Sequence, residues 1–334
     1  MGTFILRRMF QVVLILWAGL TLLFLMFVAI PGSSLEERNS ERSVSQSVRD
    51  NFDRRYGLDK PVYVQYGRYW KAFVRGDLGN SEVSDRKVST MLGSAAKTSS
   101  RLAFWGFLIQ LMIGIPSGVY AAVRRYGWFD KLSGVLSVFV AGIPVFVSGI
   151  LFQFLFGVLP GPNYWNWPKW TRLNFSGFDS SGGDGTWALH FFPTGATWRS
   201  LLLPAVTIAL VQTGFLSRLT RTSLLEVLRA EYMRTASSKG LSKTRVIFKH
   251  GLRNALIPVV TILGADLIAF FGVAVLTENV YNLNGIGSTV AKAAQAQDSP
   301  LVLGFVGPIV IFAGLLYLLI DVAYAWLDPR IRLQ

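Results

Sequence analysis

The sequence has no cysteine, and its only two histidines, His190 and His250, stand far apart. Disulfides, thiolate metal sites and cysteine nucleophiles are thereby excluded, and a histidine-rich metal site has no material. No G-x-x-x-x-G-K-[ST] string occurs, so the chain cannot cradle nucleotide phosphates by that loop. Gly285-Ile286-Gly287 lacks the third glycine of a dinucleotide fingerprint and follows no expected parallel strand, so it reads as a turn. No internal repeat and no low-complexity tract occurs. Charged residues make up 16% of the chain against 51% hydrophobic ones. A chain of 334 residues cannot keep that balance and still cover itself with a water-facing surface.

The apolar residues fall into six runs: 9–30, 102–123, 132–159, 201–216, 256–276 and 301–327. Each is long enough, or nearly so, to cross a bilayer as a helix. Gly114 and Pro116 sit in the second run, and Gly142 and Pro144 in the third, which membrane helices tolerate. The first run follows Arg7 and Arg8 as a signal peptide would, but Pro31-Gly32-Ser33-Ser34 after it is not an Ala-x-Ala-like cleavage site. It reads as a retained helix.

The net charge of +14 admits two readings, a nucleic-acid surface or basic cytoplasmic loops. The basic residues lie between the apolar runs, which favours the second. Arg7 and Arg8, then Arg124, Arg125 and Lys131, then the Arg/Lys cluster from Arg218 to Arg253, then Arg330 and Arg332 all fall on one side of a six-span chain. That side is expected to be cytoplasmic, with both termini. Residues 31–101 then lie outside, their basic residues interleaved with acids such as Glu36, Asp50 and Asp85. The stretch from Pro160 to Ser200, with Trp165, Trp167, Trp170, Trp187 and Trp198, suits an interfacial belt or lid on the same outer side.

Between the fourth and fifth runs the sequence predicts a helix over Leu224–Ser238, a left-handed stop at Gly240, and a second short helix N-capped by Ser242 and running towards Leu252. Pro258 is placed at the start of the next span. A helical hairpin with a basic surface results, which physics alone reads as a solvated anchor. Three acids sit in or beside spans. Asp266 falls within the fifth run and Asp321 within the sixth, where a carboxylate faces a neighbouring helix or a wet cavity. Asp266 is a candidate for the translocation path, with an interhelical hydrogen bond or a pair with a basic residue as the alternative. Glu278, at the end of the fifth run, is a candidate gate residue or a solvated residue at a loop base. Neither Asp266 nor Asp321 lies in a motif for an aspartyl dyad. His190 reads as a loop residue and His250 as part of the basic hairpin.

The hairpin residues Tyr232, Arg234, Thr235, Ala236, Lys239, Gly240 and Leu241, followed by Leu252-Arg253-Asn254-Ala255-Leu256 and Pro258, resemble the EAA-type coupling segment of ABC importer permeases in its peptide-transport form. Tyr56-Gly57-Leu58-Asp59-Lys60-Pro61, Arg75-Gly76-Asp77-Leu78-Gly79, Ile113 to Gly118, Glu278 to Gly287 and Leu327 to Arg332 extend the likeness over nearly the whole chain. The chain departs from the broad consensus at Arg234 and Thr235, where that begins Glu-Ala, and at Arg253, which replaces a proline. The chain is similar to the membrane subunits of dipeptide and oligopeptide ABC importers of the DppB/OppB type. The resemblance implies an all-α membrane protein with the six-transmembrane-helix type I importer permease fold and a long external loop after the first helix. It divides the chain into residues 1–30, an external region 31–101, and a core 102–334 that contains the coupling loop 222–256.

The function so implied is that of a permease in a bacterial cytoplasmic (inner) membrane, not an enzyme. Glu231, Tyr232, Arg234, Thr235, Ala236, Lys239, Gly240, Leu241 and Arg253 would couple it to ATPase subunits, which bind ATP and magnesium; this chain would hold no cofactor. The implied partners are a second homologous permease, two ABC ATPases and an extracytoplasmic substrate-binding protein, with no nucleic acid. Peptides are the implied cargo; nickel chelates, haem-like compounds or oligosaccharides are alternatives within the same machine. An ion-coupled secondary carrier is the other transport class, but it would show paired broken helices in two halves.

Overall fold

The computed structural model describes residues 2–26, 60–81, 83–159, 196–296 and 298–327. His190, the Trp-rich stretch up to 195, and the motif residues 56–59 and 328–332 lie outside them. Among the described residues all the regular structure is helical, apart from one isolated bridge between Asn80 and Lys87. The helices are α1 (Gly2–Phe24), α2 (Val62–Val74), α3 (Val88–Val123), α4 (Trp128–Gly142), α5 (Val145–Gln153), α6 (Ala196–Leu228), α7 (Glu231–Ser238), α8 (Lys243–Arg245), α9 (Arg253–Val280), α10 (Ile286–Gln295) and α11 (Ser299–Leu327). Among the described residues, five helical segments are long and apolar enough to cross a membrane, or six if α4 and the segment from Val145 to Phe156 count as one span.

That pair is where the third run differs from its reading as a single helix. α4 and α5 meet at a bend of 103°. The cause is local. Pro144 disfavours helical backbone at the preceding residue, and Ile143 sits at φ −93°, ψ 123°. Four other prolines stay inside helices: Pro116 in α3, Pro204 in α6, Pro258 in α9 and Pro308 in α11. α3 also begins at Val88, well before the apolar run at 102, because Ser and Thr residues carry its first turns.

The chain divides into two compact units, one from Met1–Ala96 with Ser288–Gln334 and one from Lys97–Gly287. In the first, α1 packs on α11. Tyr66, Tyr69, Trp70 and Phe73 recur along α2 at the spacing of one helical face. Phe24 of α1 meets Tyr66 and Tyr69 at centroid distances of 5.3 and 5.6 Å, and the Tyr66 hydroxyl bonds to that of Thr21 at 2.6 Å. Burial, with Tyr66 alongside, pushes the Tyr69 phenol up to about 12, so it stays neutral within that cluster. Asp298 caps α11, accepting from the Leu301 amide at 3.2 Å and from the Ser81 hydroxyl at 2.5 Å.

The second unit has α6 at its centre, packed by α4, α5 and α9. Phe270 of α9, Leu102 of α3, and Leu201 and Ile208 of α6 are fully or almost fully buried in one apolar cluster. α3 approaches α6 closely at Gly118, where a Cβ would lie 2.5 Å from the Ser217 carbonyl oxygen, so only glycine fits. α4 is built inside out. Its buried residues are Asp130 and Ser137, while Val135, Val138 and Phe139 are each more than 60% exposed. Polar side chains turned inward and apolar ones outward suit a helix surrounded by lipid or partner helices rather than water.

Candidate functional site

The residues singled out around Gly240 come together in one hairpin. The helix expected over Leu224–Ser238 is interrupted: α6 ends at Leu228, where the amides of Arg229 and Ala230 turn back to the Glu226 and Val227 carbonyls at 3.2 and 3.0 Å. Ala230, extended at ψ 148°, is the N-cap of α7. Glu231 then opens the new helix, where a carboxylate complements the helix dipole. Met233 and Ala236 form the buried side of α7 and pack with Val246, Val227, Leu228 and Leu241. Glu231, Tyr232, Arg234, Thr235 and Lys239 are exposed.

Gly240 ends α7 as the sequence predicts. It adopts φ +75°, a backbone conformation that L side chains rarely take. Its amide donates to the Ser237 carbonyl at 3.0 Å, and that of Lys239 to Thr235 at 3.2 Å. Ser242 occupies the N-cap position of α8 in extended backbone, although its hydroxyl makes no capping bond. After Arg245 the helix widens into a π-helical stretch, Val246–Leu252, and continues directly into α9. The span therefore does not start at Pro258. The proline lies one turn inside α9, and the Asn254 carbonyl that it leaves without a helical donor belongs to an exposed residue. Asn254 also donates from Nδ2 to the Tyr232 hydroxyl at 3.0 Å, tying the exposed face of α7 to the root of α9. Arg253 is exposed beside it, and His250 is half-buried in the π-helical stretch.

Asp266 is buried at mid-helix in α9. Gln110 of α3, which is fully buried, donates from Nε2 to its Oδ2 at 3.0 Å and to the Gln212 carbonyl of α6 at 3.4 Å. The Gln110 Oε1 atom has no hydrogen-bond partner among the described residues. Three helices thus converge on one buried polar centre. The interhelical bond foreseen for Asp266 is present.

Glu278 is not a solvated loop-base residue: it is 1% exposed. Its carboxylate accepts from the Ser99 hydroxyl at 2.5 Å and from the Gly287 amide at 2.8 Å, and the Ser99 oxygen accepts the Ile286 amide at 2.8 Å. The first amides of α10 are thereby satisfied by a buried carboxylate and a serine. Asp321 lies in α11, beyond the last residue whose side chain is described.

One pair escaped the sequence reading altogether. Asp130 of α4 accepts from Arg221 Nε of α6 at 2.5 Å and from its Nη2 at 2.9 Å, and takes the Tyr126 amide at 2.9 Å. This two-pronged pair joins the loop after α3 to the helix that carries the hairpin. Its one sequence signal is an acid among Arg124, Arg125 and Lys131 at the edge of an apolar run, which does not name the partner 91 residues away.

The sequence matches a family model described as "binding-protein-dependent transport system inner membrane component" over residues 114–333, and that family's N-terminal model over residues 1–114. The chain is 30% identical to the dipeptide transport system permease protein DppB of Alkalihalophilus pseudofirmus, over 99% of this chain and 100% of that one. It is 34% identical to a di/tripeptide transport system permease protein of Pseudomonas aeruginosa over the whole of both chains. It is 31% identical to the glutathione transport system permease protein GsiC of Salmonella paratyphi A over 99% of each. With apolar helices, inward-facing polar pairs and these matches along its full length, the chain belongs to the family of binding-protein-dependent transport system inner membrane components.

Proposed function

We propose that this permease carries small peptides, and that it is driven through the α7–α8 hairpin by ATPase subunits from outside the chain. The hairpin carries the proposal. A rigid buried side, a glycine-set turn and an outward row of Glu231, Tyr232, Arg234, Thr235 and Lys239 suit insertion into a groove of a moving partner. Closure of an ATPase pair would pull on α7. The Asn254–Tyr232 bond and the continuous helix from Lys243 into α9 would pass that displacement to the helix that holds Asp266. The positive-inside bias supports a cytoplasmic hairpin and cytoplasmic termini.

The named relatives handle dipeptides, di/tripeptides and glutathione, which supports short peptides as cargo. Asp266 and the open acceptor of Gln110 would offer two oxygen acceptors to a peptide ammonium or amide. A second permease would complete the path, and an external binding protein would deliver the cargo.

The test is uptake of labelled dipeptides into vesicles that contain the permease pair with or without its ATPases and binding protein. Uptake should require ATP and both kinds of partner. Uptake by the permeases alone under an ion gradient would refute the coupling, and uptake restricted to non-peptide solutes would refute the cargo.

A further inference from the structure

Where α4 and α6 meet, beside the Asp130–Arg221 pair, lies an open cavity of about 550 Å³. We infer that this cavity binds the headgroup of an anionic phospholipid, with Lys131 and Arg218 as the phosphate contacts. The charge comes first. Arg221 neutralises Asp130, which leaves Lys131 and Arg218 on the cavity wall. Neither of those side chains makes a hydrogen bond or ion pair among the described residues, although Arg218 is half-buried. A half-buried guanidinium without an acceptor is a standing demand for an anion. Ser133 and Thr222, also on the wall, already donate their hydroxyls to the Asp130 and Arg218 carbonyls at 3.1 and 2.9 Å, so the two cations carry the phosphate contacts.

The shape of the wall is fixed. Tyr126 is held at φ +65°, a conformation uncommon for any residue but glycine, with its amide bonded to Asp130 and the Arg125 guanidinium over its ring at 4.3 Å. The ion pair therefore positions this wall and leaves the two other cations to a ligand.

The surroundings select a lipid over a free anion. Leu132, Val135, Leu136 and Phe139 run along one face of α4 at i, i+3, i+4 and i+7, each at least 45% exposed, and Val135 lines the cavity itself. Trp128, 74% exposed at the start of the same helix, suits the headgroup level of a bilayer. A phosphate site at the end of an apolar stripe matches a molecule with a charged head and an acyl chain. Free phosphate has no use for the stripe.

The experiment is native mass spectrometry of the assembled transporter, titrated with phosphatidylglycerol, with phosphatidylcholine, or with millimolar inorganic phosphate. Phosphatidylglycerol should bind in preference to phosphatidylcholine. Lys131→Gln and Arg218→Gln should each weaken it about fivefold and the double variant about twentyfold, as expected for one basic contact each. Arg229→Gln, which removes a charge outside the cavity, should leave it unchanged. The inference is overturned if the two lipids bind alike, or if the double variant retains wild-type phosphatidylglycerol binding, as it would were a second subunit covering the groove. Displacement of the lipid by inorganic phosphate would assign the site to a free anion and overturn it equally.

Discussion

Replacing Gly240 isolates the turn from everything around it. A Cβ at this position meets nothing within 4 Å, so the whole effect comes from the backbone at φ +75°. An L residue there costs about 1–2 kcal/mol, and a β-branched residue sits at the upper end or beyond. Relief of that strain would require the turn to open, breaking the Gly240-to-Ser237 bond and drawing Leu241 away from Met233, Ala236 and Val246. A strain of about 2 kcal/mol changes the ratio of formed to opened turn by roughly thirtyfold. Gly240→Val should therefore insert and assemble, yet lose most of the ATPase stimulation by loaded binding protein and most of the uptake. Gly240→Asn, which tolerates the left-handed region, should stay near wild type, with Gly240→Ala between the two. The assay is ATP hydrolysis and peptide uptake in the same reconstituted vesicles. Equal activity for the valine and asparagine variants would refute the reasoning, since only backbone strain separates them.

Asp130→Ala should destabilise the purified protein by about 2 kcal/mol and lower its Tm, because it strands Arg221 and the Tyr126 amide; Arg221 is partly exposed, which limits the loss. Asp130→Leu with Arg221→Met should recover part of that Tm, and no recovery would contradict a simple pair. Glu278→Ala should cost about 2–3 kcal/mol by leaving the first amides of α10 without their acceptor, while Glu278→Gln, which keeps an oxygen there, should cost less; thermal unfolding ranks the two. Asp266→Asn keeps an acceptor for Gln110, so stability should hold, while uptake of peptides with a free amino terminus should fall more than that of N-acetylated ones. Equal loss for both cargo types would remove Asp266 from cargo recognition.

The apolar runs, the hairpin and its glycine stop were readable because each rests on local chemistry: run length, a helix-to-glycine transition, the absence of proline in Leu224–Ser238. The break between α4 and α5 was also local, since Pro144 constrains Ile143, but the surrounding apolar residues hid it inside one continuous run. The break at Arg229–Ala230 had no comparable signal, as both residues are compatible with a helix. What the sequence withheld were the partners of buried polar groups. Asp266 finds Gln110 156 residues away, and Glu278 finds Ser99 179 residues away. Periodicity carries no information on such pairs. Glu278 had solvation as one of its two readings, beside a gate, for that reason: its acid type and place near a loop suggest water, and only the folded chain supplies Ser99 and the start of α10.

The central claim is that the hairpin is held by an ATPase on the cytoplasmic side. The chain has no cysteine, so Thr235→Cys introduces a single thiol on the exposed face of α7. In intact cells it should resist a membrane-impermeant maleimide, and in inside-out vesicles, once alkylated by a photoactivatable maleimide, it should crosslink to the ATPase subunit on illumination, in a yield that changes when ATP is bound. Labelling from the outside, or free labelling in inside-out vesicles with no crosslink to the ATPase, would contradict the account.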